Sequence, residues 1–200
     1  LLSCLYKKVK YIRNLTDVDD KIILEAKKRN ISIEDLTKDI ATIYQTNMLD
    51  LNMLKPTLEP KVTENINNII SVIEKIIENK SAYISEKHVV FDTTSFVDYG
   101  ALSKKISDDL IDGARVKPES FKRNPKDFVL WKPSIDSNYG WESPWGFGRP
   151  GWHIECTSMI KNIIGMNATL DLHGGGIDLI FPHHENEIAQ SRCANGTKVF

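Results

Sequence analysis

The apolar positions of this chain repeat at helical spacing in three places and at strand spacing in shorter runs between them. Ile22, Ile23 and Ala26 recur with the period of a helix after "NLTDVDD", where Asp17, Asp19 and Asp20 stand near the start that a helix dipole favours. "SIEDLTKDIATIYQTNMLDLNML" predicts a second amphipathic helix. Ser32 opens it with Asp35 three residues on, and Pro56 and Pro60 are expected to end it. Ile66, Ile69, Ile70, Ile73, Ile76 and Ile77 predict a packing helix with Thr63 as its cap.

Strand signals lie around these helices. Val9 to Ile12 is strand-like, "AYISEKHVVFDTTSF" predicts a hairpin, and Phe128 to Trp131 a strand after a short helix and a basic loop. "GRPGWHIECTSMIKNII" is a loop running into a helix. "ATLDLHGGG" predicts a strand that ends in a glycine turn, and "DLIFPHHENEIAQSRCA" a turn and then a helix with Pro182 near its first turn. A strand ending in glycines before a helix is the geometry of a ligand site at the carboxyl edge of an open parallel sheet.

Composition narrows the class. Two hundred residues with 41% hydrophobic content suit a soluble globular chain, and no apolar run is long enough for a membrane span or a signal peptide. A cytoplasmic protein without a membrane role is expected. A net charge of −1 makes no global electrostatic case for nucleic acid, so such a partner must be held by a local patch or by parts outside these residues; the basic stretch Lys117 to Lys126 could touch it, or be an ordinary solvated loop. The opening "LLSCLYKKVKY" without an initiator methionine and the close at "GTKVF" suggest a piece of something longer.

Three cysteines at irregular spacing make no disulfide framework and direct attention to metal or catalytic roles. His183 and Glu187 are four apart and share one helix face, and Cys156 is a soft third donor, a set that zinc accepts. Each piece also has a plainer reading: a buried small thiol, a surface hydrogen bond, and a glycine run that only turns the chain. His184 and Glu185 are expected to support the shell or face solvent. Cys4 and Cys193 are expected to be packing residues. "HHENE" lacks the second histidine spacing of zinc peptidases, which disfavours a metallohydrolase.

Taken together and in order, "RNLTDVDDKI", "DFVLWK", "SPWGFGRPGWHIEC" and "HGGGIDLIFPHHENEIAQS" closely resemble the cysteinyl-tRNA synthetases, over nearly the whole chain. The resemblance implies an α/β fold: a class I Rossmann-type catalytic core whose parallel sheet is flanked by helices and split by a connective insertion. Residues 1–60 would be the first part of the core, 61–140 the insertion and 141–200 the second part. It implies one zinc ion held by Cys156, His183 and Glu187, with a fourth ligand before Leu1, and cysteine contacts from Thr16, Trp152 and Asp178. His173, Gly174, Gly175, Gly176 and Asp178 match the turn that approaches ATP.

The implied activity is a cysteine–tRNA ligase that uses ATP with Mg2+, L-cysteine and tRNA(Cys), acting as a monomer. Its catalytic "HIGH" and "KMSKS" motifs lie outside these residues, so the piece alone is expected to be inactive. Two other readings stand beside it. One is the related ligase of mycothiol synthesis, which passes cysteine to an amino-sugar; the other is a zinc-stabilised binding module without catalysis.

Overall fold

The computed structural model describes residues 2–104, 119–134, 139–165 and 169–195, in two compact units, Leu1–Asn65 and Ile66–Phe200. Among the described residues no helix is long and apolar enough to cross a membrane.

The first unit carries α1 (Leu2–Leu5), α2 (Asp20–Arg29) and α3 (Ile33–Asp50). Asp19 caps α2 by accepting the Ile22 N–H at 2.9 Å, while Asn30, at φ 53°, ends it in the left-handed conformation that asparagine tolerates. Ser32 caps α3 through the Asp35 N–H, as its spacing predicts. α3 stops at Asp50, with Asn52 at φ 55°, well before Pro56 and Pro60; a left-handed residue, not a proline, turns the chain out. Asp17 does not serve the α2 dipole. Its carboxylate accepts the Thr63 N–H at 3.0 Å and the Thr63 hydroxyl at 2.6 Å, tying two distant segments of the unit together.

The expected strand at Val9 to Ile12 is reduced to two isolated parallel bridges, Ile12 with Leu58 and Leu15 with Lys61. Val18, Ile23, Ala26, Leu36 and Val62 form the buried apolar centre of this unit. Beside it runs a mainly apolar cleft of about 460 Å³ lined by Leu15, Thr16, Ile22, Ile40 and Tyr44 among others. Cys4, expected to pack, is exposed, because α1 is a single turn with no buried residue.

The second unit is built on α4 (Ile66–Glu78), four strands, α5 (Trp152–Ile164) and α6 (Glu185–Asn195). α4 buries Ile66, Ile69, Val72, Ile73 and Ile76, the face its period predicts. The strands are β1 (Ala82–Ser85), β2 (His88–Phe91), β3 (Phe128–Pro133) and β4 (Gly148–Pro150), in that order across one sheet. Every pairing within this sheet is antiparallel, unlike the parallel sheet expected from the resemblance, of which the described residues hold only the two parallel bridges of the first unit. For β1 and β2 the reason is local: they are joined by only Glu86 and Lys87, both at positive φ, and a two-residue turn cannot connect parallel strands. The strand expected in "ATLDLHGGG" is also absent from its described part, residues 169–176, where no neighbouring strand supplies a ladder.

Asp127, 2% exposed, holds the start of β3 in place. It accepts bonds from the Tyr83 hydroxyl, from the N–H and hydroxyl of Thr93, and from the Asn124 N–H, so a buried charge is fully bonded. The basic stretch Lys117 to Lys126 lies partly outside the described residues. Within them, Lys122 pairs with Glu119 at 2.7 Å and Arg123 sits over the Tyr83 ring, so both charges have partners inside the chain.

Lys161 on α5 is 3% exposed, and among the described residues its ammonium has no hydrogen-bond partner. Burial, and then the positive charge of Lys75, lower its pKa from 10.5 to about 8. The unfolded chain therefore holds a proton that the folded chain has released between those two values, and this group's contribution to stability rises with pH across that window. Replacing Lys161→Met keeps the apolar stem and removes the charge. It is expected to stabilise the fold by roughly 1–3 kcal/mol at neutral pH, with an advantage that shrinks as pH rises through the window. Urea unfolding of both proteins at several pH values checks this, and a pH-independent difference would contradict it.

Candidate metal centre

The centre is built on two helix starts in the second unit. β4 ends at Pro150, and Gly151 follows with its N–H bonded to the Leu130 carbonyl at 2.8 Å. A Cβ at Gly151 would fall 2.0 Å from the Val129 carbonyl oxygen, so only glycine lets the chain pass this close before α5 begins. α5 then carries His153 and Cys156 three residues apart, on one face. The second start is an irregular wide turn, Ile180–His184, in which Phe181 has extended rather than helical angles, followed by α6 with Glu187.

These elements bring Cys156, His183 and Glu187 together. Their donor atoms all lie within 4.8 Å of one another; His183 and Glu187 are buried, and Cys156 is half-buried as a residue with its sulfur turned inward to the group. Cys156 Sγ is 3.8 Å from His183 Nε2, which is 3.5 Å from Glu187 Oε1. Glu187 is 0% exposed, and its Oε1 has no hydrogen-bond partner among the described residues. A fully buried carboxylate oxygen facing an imidazole and a thiol is an unmet acceptor that a cation satisfies. Thiol, imidazole and carboxylate together suit zinc.

The surrounding side chains orient the three. His153 Nδ1 is 3.0 Å from His183 Nδ1, so one nitrogen must donate and the other accept. If His183 carries the proton on Nδ1, its Nε2 lone pair faces Cys156 and Glu187. Burial, and then His183, push the His153 pKa down to about 3, which keeps that ring neutral. His173 Nε2 contacts Glu187 Oε2 at 2.8 Å; this bond raises the His173 pKa and leaves Oε1 turned toward the cluster. Burial lowers His183. It raises the Cys156 thiol, and the charges of Glu187 and Glu155 raise it further, so without a cation the sulfur keeps its proton.

Trp152 stacks on the His183 ring at 4.5 Å between centroids and is 52% exposed, an open wall on the cluster. The glycine turn Gly174, Gly175 and Gly176 leads from His173 toward the wide turn. At Gly175 a Cβ would meet the His184 ring at 2.6 Å, so the bare backbone is needed there. Asp178 lies exposed on the following short turn, Ile177–Leu179. Thr16 belongs to the first unit, where it lines the cleft beside Ile22 and Tyr44.

Sequence reasoning missed two partners of the group, His153 and His173, and left Glu185 between two readings. His153 was detectable, since it lies one helical turn before Cys156. His173 contacts the Glu187 carboxylate, a link between residues 14 apart that spacing could not show. Glu185 neither faces solvent nor lies among the donors: it is 1% exposed and accepts the N–H groups of Gly100 and Ser103. His184 is set edge-on to His173 and forms a second donor group with it and Glu187.

A family model described as the catalytic domain of class I (C) tRNA synthetases matches residues 1–200. The chain is 53% identical over 201 residues to a cysteine–tRNA ligase of Methylocella silvestris, covering 100% of this chain and 44% of that protein. It is 54% identical over 191 residues to one from Caulobacter vibrioides, covering 96% and 41% respectively. A cysteine–tRNA ligase of Pelagibacter ubique is 52% identical over 195 residues, with 98% and 43% covered. The chain spans less than half the length of these relatives and belongs to the class I (C) tRNA synthetase catalytic-domain family.

The geometry separates the thiols. In the metal-free chain Cys4, exposed, is expected to react first with a disulfide reagent, and Cys156 at least about tenfold more slowly, because its buried thiol forms little thiolate. Cys4→Ser should remove the fast phase, and rapid labelling of Cys156, located by peptide mapping, would contradict the burial described.

Proposed function

We propose that this chain is part of a cysteine–tRNA ligase, one that activates L-cysteine with ATP and Mg2+ and passes the cysteinyl group to tRNA(Cys). The carrying observation is the buried cluster of Cys156, His183 and Glu187 with its unmet carboxylate oxygen. The printed names of relatives just over 50% identical along the chain support the same reading.

In this reading Cys156, His183 and Glu187 hold zinc together with a fourth ligand expected before Leu1, and the thiol of the amino acid joins that shell. Bound there, zinc would supply a Lewis acid that favours a substrate thiolate over the hard, high-pKa hydroxyl of serine. The chain's own residues do the remaining work. His153 and His173 hold the imidazole and carboxylate ligands in orientation. Trp152, partly exposed above His183, offers a flat wall to the cysteine side chain. Thr16 and Asp178 contact the amino acid. The backbone of Gly174, Gly175 and Gly176, with His173 and Asp178, approaches the adenosine, where missing side chains permit close contact.

Discrimination against serine is the property such a site explains. An apolar pocket separates such near-isosteres by only about a hundredfold, whereas a site that reads sulfur needs no editing step. The chemical step is in-line attack of the cysteine carboxylate on the α-phosphate, with pyrophosphate leaving. Residues 61–140 as a connective insertion, a monomeric state and a cytoplasmic location belong to the same proposal and rest on the family resemblance.

Zinc-edge X-ray absorption on the full-length protein, with and without cysteine, tests the reading. A gain of about one sulfur neighbour with cysteine and none with serine is expected of an open, substrate-reading site. An unchanged shell would make the metal structural and remove this account of specificity. The 200-residue chain alone is expected to show no cysteine-dependent pyrophosphate exchange, and measurable exchange would overturn the assignment of the missing motifs to catalysis.

A further inference from the structure

The wide turn that carries His183 is not regular helix: Phe181 has φ −134° and ψ 131°, so no continuous ladder of α-helical bonds fixes the histidine from upstream. The helix that follows is unusual in what it buries. Glu185, Asn186, Glu187, Gln190 and Ser191 are all inside, beside only two alanines. Apolar packing tolerates small rotations of a helix. A buried carboxylate with two fixed donors does not, because misalignment leaves a charge without partners.

Those donors come from one loop. The N–H of Gly100 bonds Glu185 Oε1 at 2.9 Å and the N–H of Ser103 bonds Oε2 at 2.9 Å. Gly100 sits at φ 99°, a conformation that L side chains rarely adopt, so the loop is shaped to aim both groups at one carboxylate. Next along, the Tyr99 hydroxyl bonds Asn186 Oδ1, and Arg192 approaches Asp98 at 3.4 Å. Glu185 and Asn186 stand immediately before Glu187, and neither touches the donor cluster.

We infer that Glu185 and Tyr99 are positioning residues of the metal centre: they clamp the first turn of α6 to the loop at 98–103, and so set where His183 and Glu187 stand. The inference rests on the reading of the cluster as a zinc site. It assigns to this loop, more than 80 positions away in sequence, control over metal retention that the ligand set alone does not reveal.

The test is chelator competition for zinc in the full-length protein, together with the visible spectrum of the cobalt-substituted form. Glu185→Gln keeps the shape but sets an NH2 against one backbone N–H. Folded Glu185→Gln protein is expected to lose zinc to the chelator with about 10–100-fold lower affinity and to show a shifted cobalt spectrum. Gly100→Ala, made on the loop and away from every ligand, should move both readouts in the same direction. Wild-type affinity and spectrum in folded Glu185→Gln would overturn the inference. Should that variant fail to fold, Tyr99→Phe decides: a severalfold loss of affinity supports the clamp and an unchanged value overturns it. A parent protein that binds no zinc would sink the metal reading and this inference with it, whereas a zinc-binding parent with unaffected variants would sink this inference alone.

Discussion

Everything at the site depends on burying two carboxylates, Glu185 and Glu187, within the first turn of one helix. Each is at most 1% exposed, and water can bond neither. The helix N-terminus favours negative charge there, but a dipole worth about 1 kcal/mol does not offset the desolvation of two carboxylates. Specific donors must do so. Glu185 takes two backbone N–H groups, and Glu187 takes His173 on one oxygen and leaves the other facing His183 and Cys156. Among the described residues one carboxylate is bonded on both oxygens and the other on one, and only the second has an oxygen to offer a cation.

The scaffold around this turn serves the same end. α4, α5 and α6 pack against one another, and the antiparallel sheet delivers the start of α5 through Gly151, whose lack of a side chain lets the backbone pass Val129. Asp127 locks the β3 start by the device that Glu185 uses, a buried acid satisfied largely by backbone N–H groups. The first unit repeats it with Asp17 and Thr63. Directional bonds to buried acids hold loops that have little apolar area of their own.

Much of the local structure was legible in the sequence because it rests on short-range rules. The cap at Ser32, the isoleucine face of α4, the β1–β2 hairpin and the sharing of one helix face by His183 and Glu187 all follow from spacings of two to four residues. The donor types of Cys156, His183 and Glu187 were legible too, since hardness and charge belong to the side chain itself. The prolines as the end of α3 misled, because a left-handed asparagine ended the helix first.

What the chain order could not state is which distant groups meet. The pairing of β3 with β2 and β4, the contact of His173 with Glu187 and the hold of Gly100 and Ser103 on Glu185 join positions 14 to 85 apart, and the exposure of Cys4 is an outcome of packing. A glutamate in "HHENE" has one chemistry in the sequence, but of three neighbouring positions Glu185 bonds two backbone N–H groups, Asn186 meets Tyr99, and Glu187 turns an oxygen to His183 and Cys156. The sequence alone determined the periodicities and the kinds of donor available. Only the tertiary structure decided which buried acid was left with an unbonded oxygen, because that depends on where donors from other segments fall in space.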